Sequence, residues 1–214
     1  MQMHPLSAEC AYRALGSIFW GALICVLDFS VSWQTNGLGL KFDFINDVIG
    51  AMMVTWGVNN LSQLIDEPEH RRNMGFCYAI AVLSVFDALI DHIVAPWPVP
   101  LRILSVIFNI TCLFAAYRFC AAMRDFCWTG ALPEAEQSWR RSQALWMLFV
   151  FIPGAILQTL NILTMAASGR DRTDVGLLAL VPVIAAFAAF VHILISIWRT
   201  RGELSERVRL ANCM

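Results

Sequence analysis

The sequence contains few charged residues. Asp, Glu, Lys and Arg make up 14% of the 214 residues and hydrophobic residues 58%, whereas about a quarter of a soluble domain is normally charged. The formal net charge of -1 argues against a nucleic-acid partner, because binding to phosphates needs a clustered basic surface. The abundance of Phe, Trp, Ile, Leu and Val excludes a disordered chain. The composition therefore predicts an integral membrane protein.

Paired cysteine motifs are also missing. The seven cysteines include no Cys-x-x-Cys pair and form no cluster with histidine, which argues against a zinc ribbon or a thioredoxin-like redox site. We interpret them as small apolar residues of the interior. No motif in the sequence identifies a cofactor or a protein family.

Six apolar runs are long enough to cross a membrane. A helix needs about 20 residues to cross a hydrocarbon core of roughly 30 Å. The predicted spans cover residues 14–33, 44–65, 75–95, 101–117, 144–167 and 175–198. Because they leave no room for a soluble domain, we predict a single all-α domain over residues 1–214, a polytopic bundle of six transmembrane helices.

Lys and Arg are unevenly distributed between the two sides of this bundle. Cytoplasmic connections of membrane proteins carry an excess of these residues. Four of the fifteen lie on one side, at Lys41, Arg102, Arg170 and Arg172, and the other eleven lie on the side that holds both termini. We therefore predict cytoplasmic N and C termini in a multi-pass protein of the inner (plasma) membrane, with the lipid bilayer as a partner.

Two segments on the predicted cytoplasmic side carry helix signals. Pro133 followed by Glu134 and Glu136 is typical of a first helical turn and predicts a helix that continues into the fifth span. Residues 200–211 alternate charged and apolar side chains, which predicts either a short helix on the membrane surface or a frayed terminus. His70 belongs to a connecting segment, so we expect it at the surface.

Two prolines and one histidine lie inside the last two predicted spans. Pro153 and Pro182 are expected either to kink their helices or to be tolerated as ordinary membrane-helix prolines. His192 lies among Ala and Phe residues, which favours a hydrogen-bonded core residue over a haem ligand.

Acidic residues outnumber basic ones within the spans. An ionised carboxylate at bilayer depth costs several kcal/mol and therefore marks an ion path or a ligand site. The only base in the spans is Arg102, and the acids lie at similar depths, roughly 5 to 12 Å below the predicted outer loops. The predicted ligand-binding or ion-binding residues are Asp28, Asp47, Asp87, Asp91 and the neighbouring His92. In the alternative interpretation, Asp91 pairs with Arg102, and Asp28 and Asp47 contact interfacial water.

Small and polar residues recur at helical spacing on the second and third spans. The stripe on the second span consists of Asn46, Gly50, Met53, Gly57 and Asn60, and the stripe on the third consists of Cys77, Ala81, Ser84, Asp87 and Asp91. Small residues let membrane helices approach closely. We therefore expect the second and third helices to pack through these two faces.

Three functional hypotheses follow from the acidic layer. The leading one is a small transporter or channel-like protein that binds a cation, a proton or a cationic solute in an acidic cavity open to the outside. The second is a non-catalytic accessory subunit of a larger, energy-converting membrane complex, or a homo-oligomer. The third is a membrane-embedded metal-dependent hydrolase that uses Asp87, Asp91 and His92; no nucleophile or complete ligand set is visible, so the non-enzymatic hypotheses are preferred.

Overall fold

The computed structural model describes residues 5–26, 30–35, 38–43, 47–91, 93–94, 98–168 and 180–211. These residues are predominantly helical, as the apolar runs predict. The helices are α1 (Pro5–Val26), α2 (Asp47–Ser62), α3 (Pro68–Asp91), α4 (Val99–Thr129), α5 (Pro133–Trp146), α6 (Ile152–Ser168) and α7 (Leu180–Ala211), and the strands are β1 (Ser30–Thr35), β2 (Leu38–Asp43) and β3 (Ile93–Val94).

A small antiparallel sheet accompanies the helices, in the order β1-β2-β3. Ser30 pairs with Asp43 and Thr35 with Leu38, while β3 pairs with β2 through Gly39 and Val94. The predicted first span ran to residue 33 and the third to residue 95, so both were too long. The all-α prediction holds for the helical bundle, to which this small sheet is added. The sequence Asn36-Gly37 between two short runs is a hairpin signal that span counting by hydropathy overlooks.

Among the residues that the structure describes, five helical segments are long and apolar enough to cross a membrane. They are Ser7–Val26, Pro68–Ile90, Val99–Thr129, Pro133–Ala167 and Val183–Leu210, and together they indicate a multi-pass membrane protein in contact with lipid. The predicted second span is helical but shorter than expected, because α2 has 16 residues. Such a helix is about 24 Å long, less than the thickness of a hydrocarbon core.

One helix, which contains a single π-helical turn, runs from Pro133 to Ser168, as predicted from the Pro133 signal. α5 is joined to α6 by a π-helical turn over Met147–Phe151. Pro153 lies two residues after this turn; it has no amide hydrogen and its ring crowds the carbonyl four residues earlier. The wider π turn accommodates this crowding without ending the helix. Pro182, in contrast, lies in the first turn of α7, where a missing donor costs nothing.

Residues 200–211 form the last turns of α7 rather than a separate surface helix. α7 is continuous over 32 residues, and Thr200 and Leu204 are fully buried. Leu204 belongs to the main hydrophobic cluster of the protein. The alternating pattern in this segment therefore reflects a helix with one face packed on the bundle.

The N-terminal half of α1 and the C-terminal half of α7 lie at the same end of the bundle. The Arg201 guanidinium of α7 lies over the ring of Tyr12 in α1, 4.2 Å from its centroid, and Arg207 Nη1 donates to the carbonyl of Gly130 after α4 (2.6 Å). We call this the arginine-rich end. The largest buried side chains gather there, among them Leu15, Leu61, Met74, Phe126 and Trp139.

Glycines bring α1 and α2 into backbone contact. A Cβ atom on Gly21 would lie 2.6 Å from the Gly50 carbonyl oxygen, and one on Gly50 would lie 2.8 Å from the Gly21 carbonyl oxygen. A Cβ on Gly57 would lie 2.7 Å from the carbonyl oxygen of Ala14. The glycine stripe of the second span is thus a close-packing face, but its partner is α1.

The stripe on α3 packs against α4. The Cys77 thiol donates to the carbonyl of Ala115 (3.2 Å), and the Ser84 hydroxyl lies 3.9 Å from the Cys112 sulfur. α2 and α3 do pack against each other, as predicted, but not through these two faces, which meet α1 and α4 instead. Helical periodicity shows which residues share a face, but it does not identify the helix that covers that face.

Candidate functional site

The structure describes the side chains of two of the four predicted acidic residues, Asp47 and Asp87, which lie on different helices. Asp47 begins α2, and its carbonyl oxygen lies 3.8 Å from the Cys25 sulfur of α1. Asp87 has an exposed side chain on α3, one turn beyond Ser84, which faces α4. Asp28, His92 and the side chain of Asp91 lie outside the described residues, so the complete acidic layer stays a prediction. Within the described part of the chain, no three His, Cys, Asp or Glu side chains are grouped to hold a metal ion.

A buried polar cluster lies between α5 and α7. The Ser138 and Ser196 hydroxyl oxygens are 2.7 Å apart, and those of Ser142 and Ser196 are 2.8 Å apart. The Ser142 hydroxyl oxygen is in turn 2.8 Å from Nδ1 of His192. We call these four residues the serine–histidine chain. Its three serines are buried and His192 is half-buried, so the expectation of a hydrogen-bonded core histidine is confirmed.

Local sequence explains why these side chains meet. Ser138 and Ser142 are four residues apart on α5, and His192 and Ser196 are four residues apart on α7, so each pair lies on one helix face. The two helices are antiparallel, which brings the faces into register. Small hydroxyl side chains let membrane helices approach closely and hydrogen-bond across the contact.

Each hydroxyl in the chain can both donate and accept a proton. A serine hydroxyl has one hydrogen and two lone pairs, and separations of 2.7 to 2.8 Å are those of well-formed O–H···O hydrogen bonds. The Ser196 oxygen also lies 3.0 Å from the carbonyl of His192. The chain thus has at least two hydrogen-bonding arrangements of the same heavy atoms, which differ in the direction in which the hydroxyls point.

The distance between Ser142 and His192 is that of a nucleophile and its base, but a substrate cannot reach the serine. A catalytic serine must reach its substrate, and Ser142 has 0% of its surface exposed. The pair is therefore an interior hydrogen bond and not a hydrolase site in this conformation.

Further polar contacts extend the α5–α7 interface towards the arginine-rich end. Trp139 Nε1 donates to the Thr200 hydroxyl (2.8 Å), and the Ala135 amide donates to Glu203 Oε1 (2.7 Å). The Ala135 amide is one of the first-turn donors of α5 that have no partner within the helix, and a carboxylate at a helix N-terminus is favourable.

His70 is a second buried histidine, and its expected surface position is wrong. Its side chain is fully buried, with Nδ1 3.1 Å from the carbonyl oxygen of Ala122 and Nε2 3.3 Å from that of Leu61. His70 therefore joins α3 to α2 and α4 at the arginine-rich end.

Sequence reasoning missed the hydroxyl residues of the α5–α7 interface. The spacing of four residues within each helix was a visible signal, but single serines are common in membrane helices and carry no charge. The pairing of Ser138 with Ser196 joins residues 58 positions apart, which only the packing of the two helices reveals.

A central cavity of about 230 Å³ lies where most of the helices meet. Its lining comes from α1 (Ile18, Ala22), α2 (Val54, Val58), α3 (Cys77, Ile80, Ala81, Ser84), α4 (Cys112, Ala115, Ala116, Phe119), α5 (Trp146) and α7 (Phe190, Ile193, Ile197).

Comparison with known proteins assigns no family to this arrangement. The chain matches no protein-family model, and no curated protein or solved structure is significantly similar to it.

Proposed function

We propose that the protein is a small membrane transporter or channel-like protein that passes a proton or another cation across the bilayer. The observation that carries the proposal is the serine–histidine chain, a continuous series of short hydrogen bonds inside a membrane-type bundle. Buried polar groups are costly in lipid and mark functional paths. A proton that enters at one end is accepted by the first hydroxyl, each hydroxyl passes its own proton to the next group, and a proton leaves at the other end. Rotation of the three hydroxyls then restores the starting arrangement without moving any helix.

The serine–histidine chain supplies one segment of such a path. His192 and Ser196 are one helical turn apart, so the segment covers about 6 Å of depth. In this proposal the predicted acidic residues, Asp28, Asp47, Asp87 and Asp91 with His92, form the cation-binding segment on the opposite side, open to the outside. Histidine suits the junction because its neutral ring carries one nitrogen that donates a hydrogen bond and one that accepts.

Removing one hydroxyl from the centre of the chain tests the proposal. Ser196→Ala breaks both serine–serine links, and we expect proton flux into proteoliposomes to fall at least tenfold under an imposed membrane potential. A pH-sensitive dye inside the vesicles measures the flux. The fold is retained because alanine is smaller than serine and suits a helix.

Ser205→Ala is the matched control on the same helix. The Ser205 hydroxyl is exposed and donates only to the carbonyl of Gly202 (2.7 Å), so we expect unchanged flux. The proposal fails if the wild-type protein gives no more flux than empty vesicles, or if Ser196→Ala and Ser205→Ala behave alike.

The other two hypotheses stay predictions. Migration of the solubilised protein far above 24.0 kDa on a native gel, with other membrane subunits bound, would favour the accessory-subunit hypothesis. Stoichiometric metal in the purified protein would favour the hydrolase.

A further inference from the structure

The central cavity is nearly devoid of polar groups. Thirteen of its sixteen lining residues have purely hydrocarbon or aromatic side chains, and the others are Cys77, Cys112 and Ser84. The Ser84 hydroxyl donates to the carbonyl of Ile80 (3.0 Å), and the Cys77 thiol to that of Ala115 (3.2 Å). Because these polar side chains already have partners, the cavity offers little to a polar ligand.

Water does not bind stably in such a cavity. A buried water needs two to four polar partners, and an apolar cavity of about 150 Å³ stays dry and binds benzene. The present cavity, at about 230 Å³, is larger than that benzene-binding cavity. Its chemistry and size therefore suit a hydrocarbon.

The surroundings of the cavity identify the source of the hydrocarbon. Five of the helices that line it, α1, α3, α4, α5 and α7, belong to segments long and apolar enough to cross a membrane, and the cavity is only partly enclosed. Phospholipid acyl chains are the most abundant hydrocarbons next to such helices. An acyl chain is also thin and flexible enough to enter between two helices.

We infer that the central cavity is a binding site for one acyl chain of a membrane phospholipid. The acyl chain fills the space between α1, α2, α3, α4, α5 and α7, and the headgroup of the phospholipid stays at the membrane surface. The site is separate from the serine–histidine chain, so the inference does not depend on the proposed transport function.

A photoreactive phospholipid tests this inference in the intact protein. The probe carries a diazirine in the middle of one acyl chain and is mixed into proteoliposomes; after irradiation, mass spectrometry maps the labelled residues. We expect labels on Ala115 and Phe119, which are 8% and 9% exposed and are shielded from bulk lipid. Leu104 and Leu163, which are 59% and 60% exposed, serve as internal controls for labelling by bulk lipid.

A cavity-filling variant and its matched control complete the test. Ala81→Leu places a larger side chain in the cavity and is expected to reduce labelling of Ala115 and Phe119 at least fivefold. Ala79→Leu, two residues earlier on the same helix but exposed, is expected to leave it unchanged. Should Ala81→Leu not fold, Ala116→Val is the milder filling variant.

The wild-type result alone can overturn the inference. If Leu104 and Leu163 are labelled while Ala115 and Phe119 are not, no acyl chain enters the cavity. Equal labelling of the cavity residues in Ala81→Leu and Ala79→Leu would also overturn it, because the labels would then come from elsewhere.

Discussion

Gly50→Ala is expected to destabilise the protein by about 3 kcal/mol, which is the upper part of the usual range for overpacking. The added Cβ would lie 2.7 Å from the Cys25 sulfur and 2.8 Å from the carbonyl oxygen of Gly21. A backbone carbonyl cannot rotate away as a side chain can, so α1 and α2 must separate. Thermal unfolding in detergent measures the effect, expected as a fall of roughly 10 °C in Tm.

Gly75→Ala is the matched control for this prediction. No atom lies within 4 Å of a Cβ built on Gly75, and alanine within a helix is favoured over glycine by roughly 0.5–1 kcal/mol. The two substitutions are therefore expected to change Tm in opposite directions. If the Tm of Gly50→Ala equals or exceeds that of the wild-type protein, α1 and α2 do not pack through their backbones.

Trp139→Ala is expected to lower the free energy of unfolding by about 4 kcal/mol, as for other large aromatic residues removed from a core. Trp139 is 0% exposed, and its ring meets that of Phe119 edge-to-face, with 5.6 Å between centroids. The substitution leaves a cavity and also removes the donor to Thr200. Chemical denaturation monitored by circular dichroism measures the loss.

Two further substitutions separate packing from hydrogen bonding. Trp139→Phe retains an aromatic ring but loses the indole N–H, so we expect a smaller loss, of which about 1 kcal/mol comes from the hydrogen bond. Trp128→Ala removes a side chain that is 74% exposed and is expected to change stability by less than about 0.5 kcal/mol. Similar losses for Trp139→Ala and Trp128→Ala would contradict the assigned core.

The positions of the helices were predictable from the sequence wherever an apolar run is long enough to cross the lipid. The Pro133 signal correctly predicted a helix that enters the fifth span, because a proline and acids in a first turn act locally. The bounds failed where apolar residues belong to another element: Val31 and Trp33 lie in β1, and Ile93 and Val94 form β3. Hydropathy measures transfer from water and does not distinguish a helix from a strand.

The two histidines show the same difference between a property set by neighbouring residues and a property set by distant ones. His192 was correctly predicted as a hydrogen-bonded core residue, since an apolar span surrounds it in the sequence. His70 follows the charged sequence Asp66-Glu67 and was predicted at the surface. Its ring lies within hydrogen-bond distance of the carbonyls at positions 61 and 122, and the second of these is more than fifty residues away in the sequence.

The sequence by itself determined that the chain forms long apolar helices, and which small or polar residues share a helix face, because both properties depend on neighbours within a few turns. Only the tertiary structure decided that Gly50 faces α1 and that Ser142 and Ser196 meet beside His192. In a membrane, lipid solvates any apolar face, so hydrophobicity alone does not select helix partners. Close fit of small residues and interhelical hydrogen bonds make that choice, and both depend on the packed arrangement.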